Sequence, residues 1–486
     1  MIPVNVQAPI GDKPPTAALY YGINVIQGLL QLPDKCIQTV CTSPPYWGLR
    51  DYQTEGVIWG AAEGCDHEWG DDIPHKGGRQ VQGATGVIQN RSAIGARADV
   101  RAASLGQFCQ KCGAWVGQLG LEPTPHLFVE HLVEVFQHVR RVLRDDGTVW
   151  LNLGDSYNTT PSGKTVGGFQ GERLKQDAAA DAAHPRANKP HCGSLKHKDM
   201  VGIPWRVALA LQDDGWYLRS DIIWAKNAVM PESVRDRPTK AHEYVFLLAK
   251  SERYFFDQEA VRVPHKTADD RRNREDYDVH RGRPMPMPDG DVQHIGTVGP
   301  STWPTGGRNI RTVWTVNPQP YPGAHFACWP PALVEPMIKA GTSQAGMCKT
   351  CGAPWKRIVT RQIPTDAGRS DDAQYSGSQD VVLGRAHDAH RRLGQQYQDQ
   401  LDQAPRVSTW EPSCECGDPE TMPCLVMDIF SGSATTGAVA LGLGRDYIGI
   451  DLSEEYLELA KARLQGKRAP DNKGEAPDTG LLDLLG

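Results

Sequence analysis

The sequence of 486 residues holds no apolar run of eighteen, the length at which a helix becomes a candidate to cross a bilayer. Its opening, MIPVNVQAPIGDKPP, has neither a charged n-region nor an apolar core. No secretory signal is read there, and a cytoplasmic location with no membrane partner is expected. An excess of positive charge is also missing: 52 Lys and Arg stand against 58 Asp and Glu, a formal net charge of −6. A nucleic acid would therefore have to be gripped by a local patch rather than by the whole surface. The twelve cysteines lack the spread of a disulfide framework. Several fall in C-x-x-C and C-x-C pairs, which read as metal ligands in a reducing compartment. There is no internal repeat, and no G-x-G-x-x-G of the kind dinucleotide enzymes carry.

What is present is enough apolar material for a core, 39% of residues, with many loops implied by 50 Gly and 36 Pro. The length suits one large domain with insertions or two to three smaller ones. Ile23, Ile26, Leu29 and Leu30 have helical spacing that Pro33 ends, and CIQTVCT follows as a short buried strand. Residues 127–144 form an amphipathic helix, Asp145-Asp146-Gly147 a turn, and TVWLNLGDSY the next strand. GIPWRVALALQDDGW repeats the helix and turn, with strands YLRSDIIWAK and HEYVFLLAKS after it. This alternation predicts an α/β fold with a parallel sheet between helices. The periodicity lapses at 159–200, 257–312 and 361–413, and residues 466–486 read as a disordered tail.

Two loops carry chemistry. Near the C-terminus, CLVMDIFSGSATTGAVALGLGRDYIGID reads strand, Gly/Ser turn, helix, strand, acid. Small residues there let backbone N–H groups approach a ligand at a helix N-terminus, and Asp451 can accept from two ribose hydroxyls. A plain strand–helix turn with a capping hydroxyl is the alternative. Near the N-terminus, TSPPYW follows a buried strand. A Pro-Pro pair often marks only a stiff turn. At the end of a sheet strand, however, it offers carbonyls without competing N–H donors, beside the Ser43 hydroxyl and the Tyr46 ring. Acceptors plus an aromatic plate suit the exocyclic amine of a nucleobase.

TSPPYW followed much later by DIFSGSATTG resembles the β class of DNA amino-methyltransferases. LNLGDSY, IIWAKNAVMPESVRDRPTKAHEYVFLLAKS and HFACWPPALVEPMIKAG extend the likeness across most of residues 19–345 and 424–465. The resemblance implies a circularly permuted Rossmann-like fold and transfer of a methyl from S-adenosylmethionine to a base amine in double-stranded DNA. By its pattern, Ser43, Pro44, Pro45 and Tyr46 match the catalytic loop. Asp428, Phe430, Gly432, Ser433, Thr435 and Thr436 match the cofactor loop, Asp451 the ribose acid, and His325 the segment holding the cofactor's methionine end. Residues 19–256 then form the catalytic half, with insertions at 60–120 and 159–200. Residues 257–312 form the target-recognition region, 313–345 with 424–465 the cofactor half, and 346–423 a second insertion. Ser at the head of S-P-P-Y leans toward cytosine N4, with adenine N6 as the alternative. Three positions depart from the family pattern. Ala434 stands where Gly is common, so an ordinary φ is expected there. Ile429 replaces a frequent Pro. Gly22-Ile23-Asn24 replaces Gly-Asp, which makes Asn24 a substitute contact for the adenine ring.

The cysteines interrupt this pattern twice. Cys65 and His67 pair with Cys109 and Cys112, and Cys348 and Cys351 with Cys414 and Cys416. Each set supplies four ligands, enough for a structural zinc that would order loops lacking their own core. Free thiols or redox pairs are the alternatives. Residues 160–200 are richer in Lys and Arg than in acids and are the better phosphate contact, whereas 257–312 is balanced in charge and reads equally as a solvated loop. A zinc-stabilised DNA-binding protein with an inactive transferase core, or an RNA or protein methyltransferase, would share these loops. A homodimer and a nuclease partner stay open.

Overall fold

The middle of the main sheet is explained by six residues. Ile37–Thr42 are all buried, as a strand covered on both faces must be. The computed structural model describes residues 4–7, 14–48, 56–73, 106–158, 195–196, 198–229, 231–263, 308–319, 328–361, 406–418 and 420–466. Its elements in chain order begin with β1 (Val4–Gln7), β2 (Thr16–Tyr21), α1 (Val25–Leu30), β3 (Ile37–Thr42), β4 (Val57–Trp59), β5 (Gln107–Phe108), β6 (Trp115–Gly117) and α2 (Pro125–Val142). Then come β7 (Leu143–Leu153), α3 (Ile203–Asp213), β8 (Tyr217–Ala225), β9 (His242–Ala249), β10 (Val313–Thr315) and α4 (Pro331–Gly341). The last are β11 (Met347–Cys348), β12 (Lys356–Arg361), β13 (Arg406–Glu411), β14 (Thr421–Met422), β15 (Leu425–Asp428), α5 (Thr435–Gly442), β16 (Asp446–Asp451) and α6 (Tyr456–Leu464). No helix among the described residues is long and apolar enough to cross a membrane.

The chain divides into two units. The first, residues 1–255, 312–346 and 422–486, contains a nine-stranded sheet in the order β1-β2-β16-β15-β3-β7-β9-β8-β10. Strands β2, β16, β15, β3 and β7 run parallel to one another, as alternation of helix and strand predicts, while the edge strand β1 is antiparallel to β2. Strand β9 does not. It lies antiparallel to both β7 and β8, because only a loop and no crossover helix joins it to β8. Helix α2 buries Phe128, Leu132, Val135, Phe136 and Val139 on one stripe, and Thr124 caps its N-terminus by accepting from Leu127 N at 3.2 Å. It packs with α1 and α3 as one layer, while α4, α5 and α6 pack together as another. Val40 and Val149 face the α2 core. Their neighbours Thr39 and Thr148 point the other way, where a Cβ on Gly341 of α4 would come within 2.6 Å and 2.9 Å of the two hydroxyls. The expected turn at Asp145-Asp146-Gly147 is built as a bulge within β7, which begins at Leu143: Leu143 pairs with Ile37 and Thr148 with Thr39, so residues 144–147 of β7 stand against Gln38 alone on β3.

The second unit comprises residues 256–311 and 347–421, so the segments read from sequence as a recognition region and a separate cysteine insertion share one body. Their link is explicit. Arg357 on β12 pairs with Asp257, nitrogen to oxygen 3.0 Å, and its guanidinium stacks 4.3 Å over Trp410 on β13. Strands β12 and β13 pair antiparallel over six positions, Lys356↔Glu411 to Arg361↔Arg406. Most of the phosphate-contact expectation at 160–200 (160–194 and 197), most of the recognition segment (264–307) and the C-terminal tail (467–486) lie outside the described residues.

Candidate active site

The two sequence loops, nearly four hundred positions apart, meet at the carboxyl ends of neighbouring strands. β15 and β3 pair in parallel, and Thr42 Oγ1 donates to Asp428 Oδ1 at 2.8 Å. That is where open α/β sheets place their ligands. A cavity of about 400 Å³ opens there, walled by both loops and by Asn24, Trp329 and Tyr456.

On the cofactor side, Asp428 is 2% exposed, and its oxygens accept from Thr42, from Phe430 N at 3.1 Å and from Thr436 Oγ1 at 2.6 Å. It therefore organises the loop, and Thr436 faces this carboxylate. Burial pushes the Asp428 carboxyl up to about 6 against these donors, and burial does the same for Asp451 against the amides of Ser453 and Gly432. Asp451 accepts from Gly432 N at 2.6 Å and from Ser453 N at 2.9 Å, which uses two of a carboxylate's four lone-pair sites and leaves two for ribose hydroxyls. Gly432 has φ +50°, and a Cβ there would enter open space, so its backbone is bare toward the cavity. These features fit S-adenosylmethionine: an aromatic-walled pocket, a diol acceptor and a Gly/Ser turn whose Gly432 backbone is open. Ser433 Oγ receives Arg463 Nη1 at 2.8 Å and lies 3.0 Å from Cys328 Sγ, while Phe430, Ser433 and Thr435 line the cavity. His325 lies outside the described residues.

Two expectations need correcting or refining. Ala434 does not take an ordinary φ. It sits at +58°, left-handed, where Gly would be strainless. The helix α5 starts at Thr435 immediately after the turn, and Ala434 is fully buried. Asn24 lines the cavity, but its side-chain oxygen caps α1 by accepting from Gln27 N at 2.9 Å, so toward a ligand it offers its amide N–H₂ group.

On the side of the N-terminal loop, Ser43, Pro44, Pro45 and Tyr46 all line the cavity. Three polar residues that sequence reasoning did not assign surround them. Asn152 on β7 holds its Oδ1 3.2 Å from Ser43 Oγ and accepts the Tyr46 hydroxyl at 2.8 Å, while its own amide donates to Tyr244 O at 3.0 Å. Glu243 Oε2 on β9 lies 2.7 Å from the same Tyr46 hydroxyl, whose single proton goes to Glu243 or to Asn152 at any one time, and Glu243 pairs with Lys226, whose ammonium lies 4.0 Å over the Trp224 ring. Gly154 abuts the Tyr46 ring edge. Asn152 and Glu243 sit inside the LNLGDSY and HEYVF segments, whose polar residues on otherwise apolar strands were the available signal.

Each cysteine set also converges. Cys65, His67, Cys109 and Cys112 bring their ligand atoms within 4.8 Å of one another, as do Cys348, Cys351, Cys414 and Cys416. In the first set the Cys65 and Cys109 sulfurs are 4.0 Å apart, and Cys112 Sγ lies 3.5 Å from His67 Nδ1. A tetrahedron with arms of about 2.3 Å has edges of roughly 3.8 Å, so the spacing suits a four-coordinate metal and excludes a disulfide. The same turn is used twice. Cys109 N donates to Ala114 O and Gly113 N to Cys109 O, as Cys348 N does to Ala353 O and Gly352 N to Cys348 O. Burial opposes the Cys109 thiolate, but the Cys112 amide, the His67 ring and the Lys111 and Glu68 amides outweigh it and bring the group down to about 5.

Comparison with known proteins agrees with this geometry. The family described as DNA methylase, of the N6/N4 methyltransferase type, matches residues 37–349 and 423–462. The type II methyltransferase M.Cfr9I of Citrobacter freundii is 31% identical over 93% of this chain and 88% of its own length. M.SmaI of Serratia marcescens is 32% identical over 91% and 88%. Among solved structures, the PvuII DNA methyltransferase (cytosine-N4-specific) aligns over 96% of this chain and 92% of its own, with 14% identity and a TM-score of 0.40. The chain thus belongs to the N6/N4 DNA methylase family and is an enzyme that methylates DNA from S-adenosylmethionine.

Proposed function

We propose that the enzyme methylates N4 of cytosine within a specific site in duplex DNA, and that its first unit is a circularly permuted Rossmann-like transferase whose base-holding loop precedes its cofactor loop. The observation that carries this reading is the meeting of the Ser43–Tyr46 and Asp428–Thr436 loops across one hydrogen bond at adjacent strand ends. Ser43 at the head of its loop favours cytosine over adenine.

When bound, S-adenosylmethionine supplies a methyl group on a positively charged sulfur. The chain's residues prepare the other reactant. An aromatic amine is a poor nucleophile while its lone pair is shared with the ring. Ser43 Oγ and the Pro44 carbonyl accept its N–H groups and draw it out of the ring plane. For this the Ser43 hydroxyl must spend its own proton elsewhere, and Asn152 Oδ1 is the acceptor in reach. Tyr46 gives the flipped base a ring to stack on, which offsets part of an unstacking cost of a few kcal/mol. Its hydroxyl is tied down by Asn152 and Glu243. Holding amine and methyl about 3–3.5 Å apart in line supplies much of the acceleration. Residues 257–312 act in target recognition, and the two four-ligand clusters each hold a structural zinc.

The test is nucleoside mass spectrometry of DNA from cells expressing the protein, beside a Ser43→Ala control. N4-methylcytosine with the native protein and none with the variant is expected. N6-methyladenine alone would refute the cytosine assignment.

A further inference from the structure

One buried polar assembly has no part in the mechanism above. Glu122 and His131 are 3% and 4% exposed, and Glu122 Oε1 lies 3.1 Å from His131 Nδ1. The other oxygen of Glu122 accepts from Gly120 N at 2.8 Å, and its backbone carbonyl accepts from the Trp47 indole at 2.9 Å. Gly120 O in turn accepts from Gly48 N at 2.8 Å. Gly120 has φ +95°, and a Cβ there would stand 3.1 Å from Pro45 Cβ, so this turn lies flat against the base-holding loop. On its far side the His131 ring is stacked between Trp59, at 5.1 Å, and Trp115, at 5.4 Å. Those indoles belong to β4 and β6 of the cysteine-rich hairpin, and Trp115 follows Cys112 by three positions. The same hairpin walls the cavity with Val57 and Trp59.

We infer that Glu122 is a positioning residue for methyl transfer. It braces the Gly120 turn against Pro45 and Tyr46, so that the Cys65–Cys112 hairpin and the base-holding loop form one rigid wall. A buried carboxylate is costly to keep unless its partners need it. Here the Gly120 N–H, whose turn leads to the loop, and the His131 ring, which leads to the cysteine-bearing strands, both depend on it. The inference rests on the reading of Ser43–Tyr46 as the base-holding loop.

The test uses the full chain with Glu122→Ala, Glu122→Asp and Glu122→Gln, beside Ser43→Ala. Single-turnover methyl incorporation into unmethylated duplex DNA is read together with cofactor affinity by calorimetry and with folding by circular dichroism. Displacing the loop by about 1 Å should slow the folded Ala variant on the order of a hundredfold at saturating cofactor and DNA. The Asp variant, one methylene shorter, should slow about tenfold, and it serves alone should the Ala variant fail to fold. The Gln variant keeps an oxygen for Gly120 N–H and should stay within about fivefold of the native rate. Cofactor affinity should hold throughout, which a merely structural role would not require. Native turnover in the folded Asp variant, or a loss matched by equal loss of cofactor affinity, overturns the inference. If Ser43→Ala also keeps native turnover, the loop assignment itself falls, and the inference with it.

Discussion

Gly154 offers the sharpest test of how the site is built. A Cβ at this position would lie 2.5 Å from Cε2 and 2.8 Å from Cδ2 of Tyr46. Non-bonded carbons settle near 3.5–4.0 Å, so in Gly154→Ala the ring must retreat by about 1 Å. Its hydroxyl, now 2.8 Å from Asn152 Oδ1 and 2.7 Å from Glu243 Oε2, would be drawn toward the limit at which those hydrogen bonds count. A misplacement of this size costs on the order of 10²-fold in rate. The backbone raises no objection, since Gly154 is not among the residues with positive φ, but crowding the ring should lower stability by about 1–3 kcal/mol. Gly154 does not line the cavity, so cofactor affinity should not move. The assay is single-turnover transfer of a labelled methyl to unmethylated duplex DNA, with a thermal melt and calorimetric cofactor titration alongside. A folded Gly154→Ala protein transferring at close to the native rate would show that the Tyr46 position does not govern the reaction.

Other outcomes follow from the same geometry. Asp451→Asn should weaken cofactor binding by about tenfold or more, the scale of a hydrogen bond to a charged acceptor, as read by calorimetry. Burial holds the Asp428 and Asp451 carboxyls at about 6, above the ordinary carboxylate near 3.9. Between those values the folded chain binds protons that the unfolded chain has released, so these groups make the free protein lose stability as pH rises from about 4 to about 6. Ribose hydroxyls donate to the ionised form, so cofactor affinity should fall as pH drops through about 6, and a flat profile from pH 8 to 5 would contradict the Asp451 role. Thr436→Val removes the 2.6 Å hydrogen bond to buried Asp428 and should cost about 2 kcal/mol in denaturant unfolding. Elemental analysis should find two zinc ions per chain and one in Cys109→Ser; a zinc-free, folded, active protein would refute the clusters as metal sites.

Much of the scaffold was legible because its signals are local. The stripe of α2 repeats every three to four residues, although the helix runs Pro125–Val142 rather than 127–144 because Thr124 caps it and Pro125 opens it. The C-x-x-C-G-A knuckles encode their own turn, and the structure builds it identically at Cys109 and at Cys348. The Gly/Ser bend after Asp428 likewise reads directly from composition. The direction of β9 did not, because apolar alternation is the same whichever way a strand runs. The backbone at Ala434 was misjudged for a related reason. Residue type disfavours a left-handed φ, but the demand that α5 begin at once outweighs that preference. Among the described residues, Arg357 ties residues 256–311 to 347–421 by reaching Asp257 a hundred positions away.

The sequence by itself determined the family and pointed to the two loops and the two four-residue clusters, since each is written within a few consecutive residues. The tertiary structure alone decided what surrounds Tyr46. Asn152 and Glu243 lie 106 and 197 positions from it, and they arrive there only because β3, β7 and β9 are adjacent in the sheet. It also decided that Glu122 stands behind Gly120, where the knuckle and the loop touch. Strand order is set by the summed burial of whole faces, and no short stretch of sequence contains that sum.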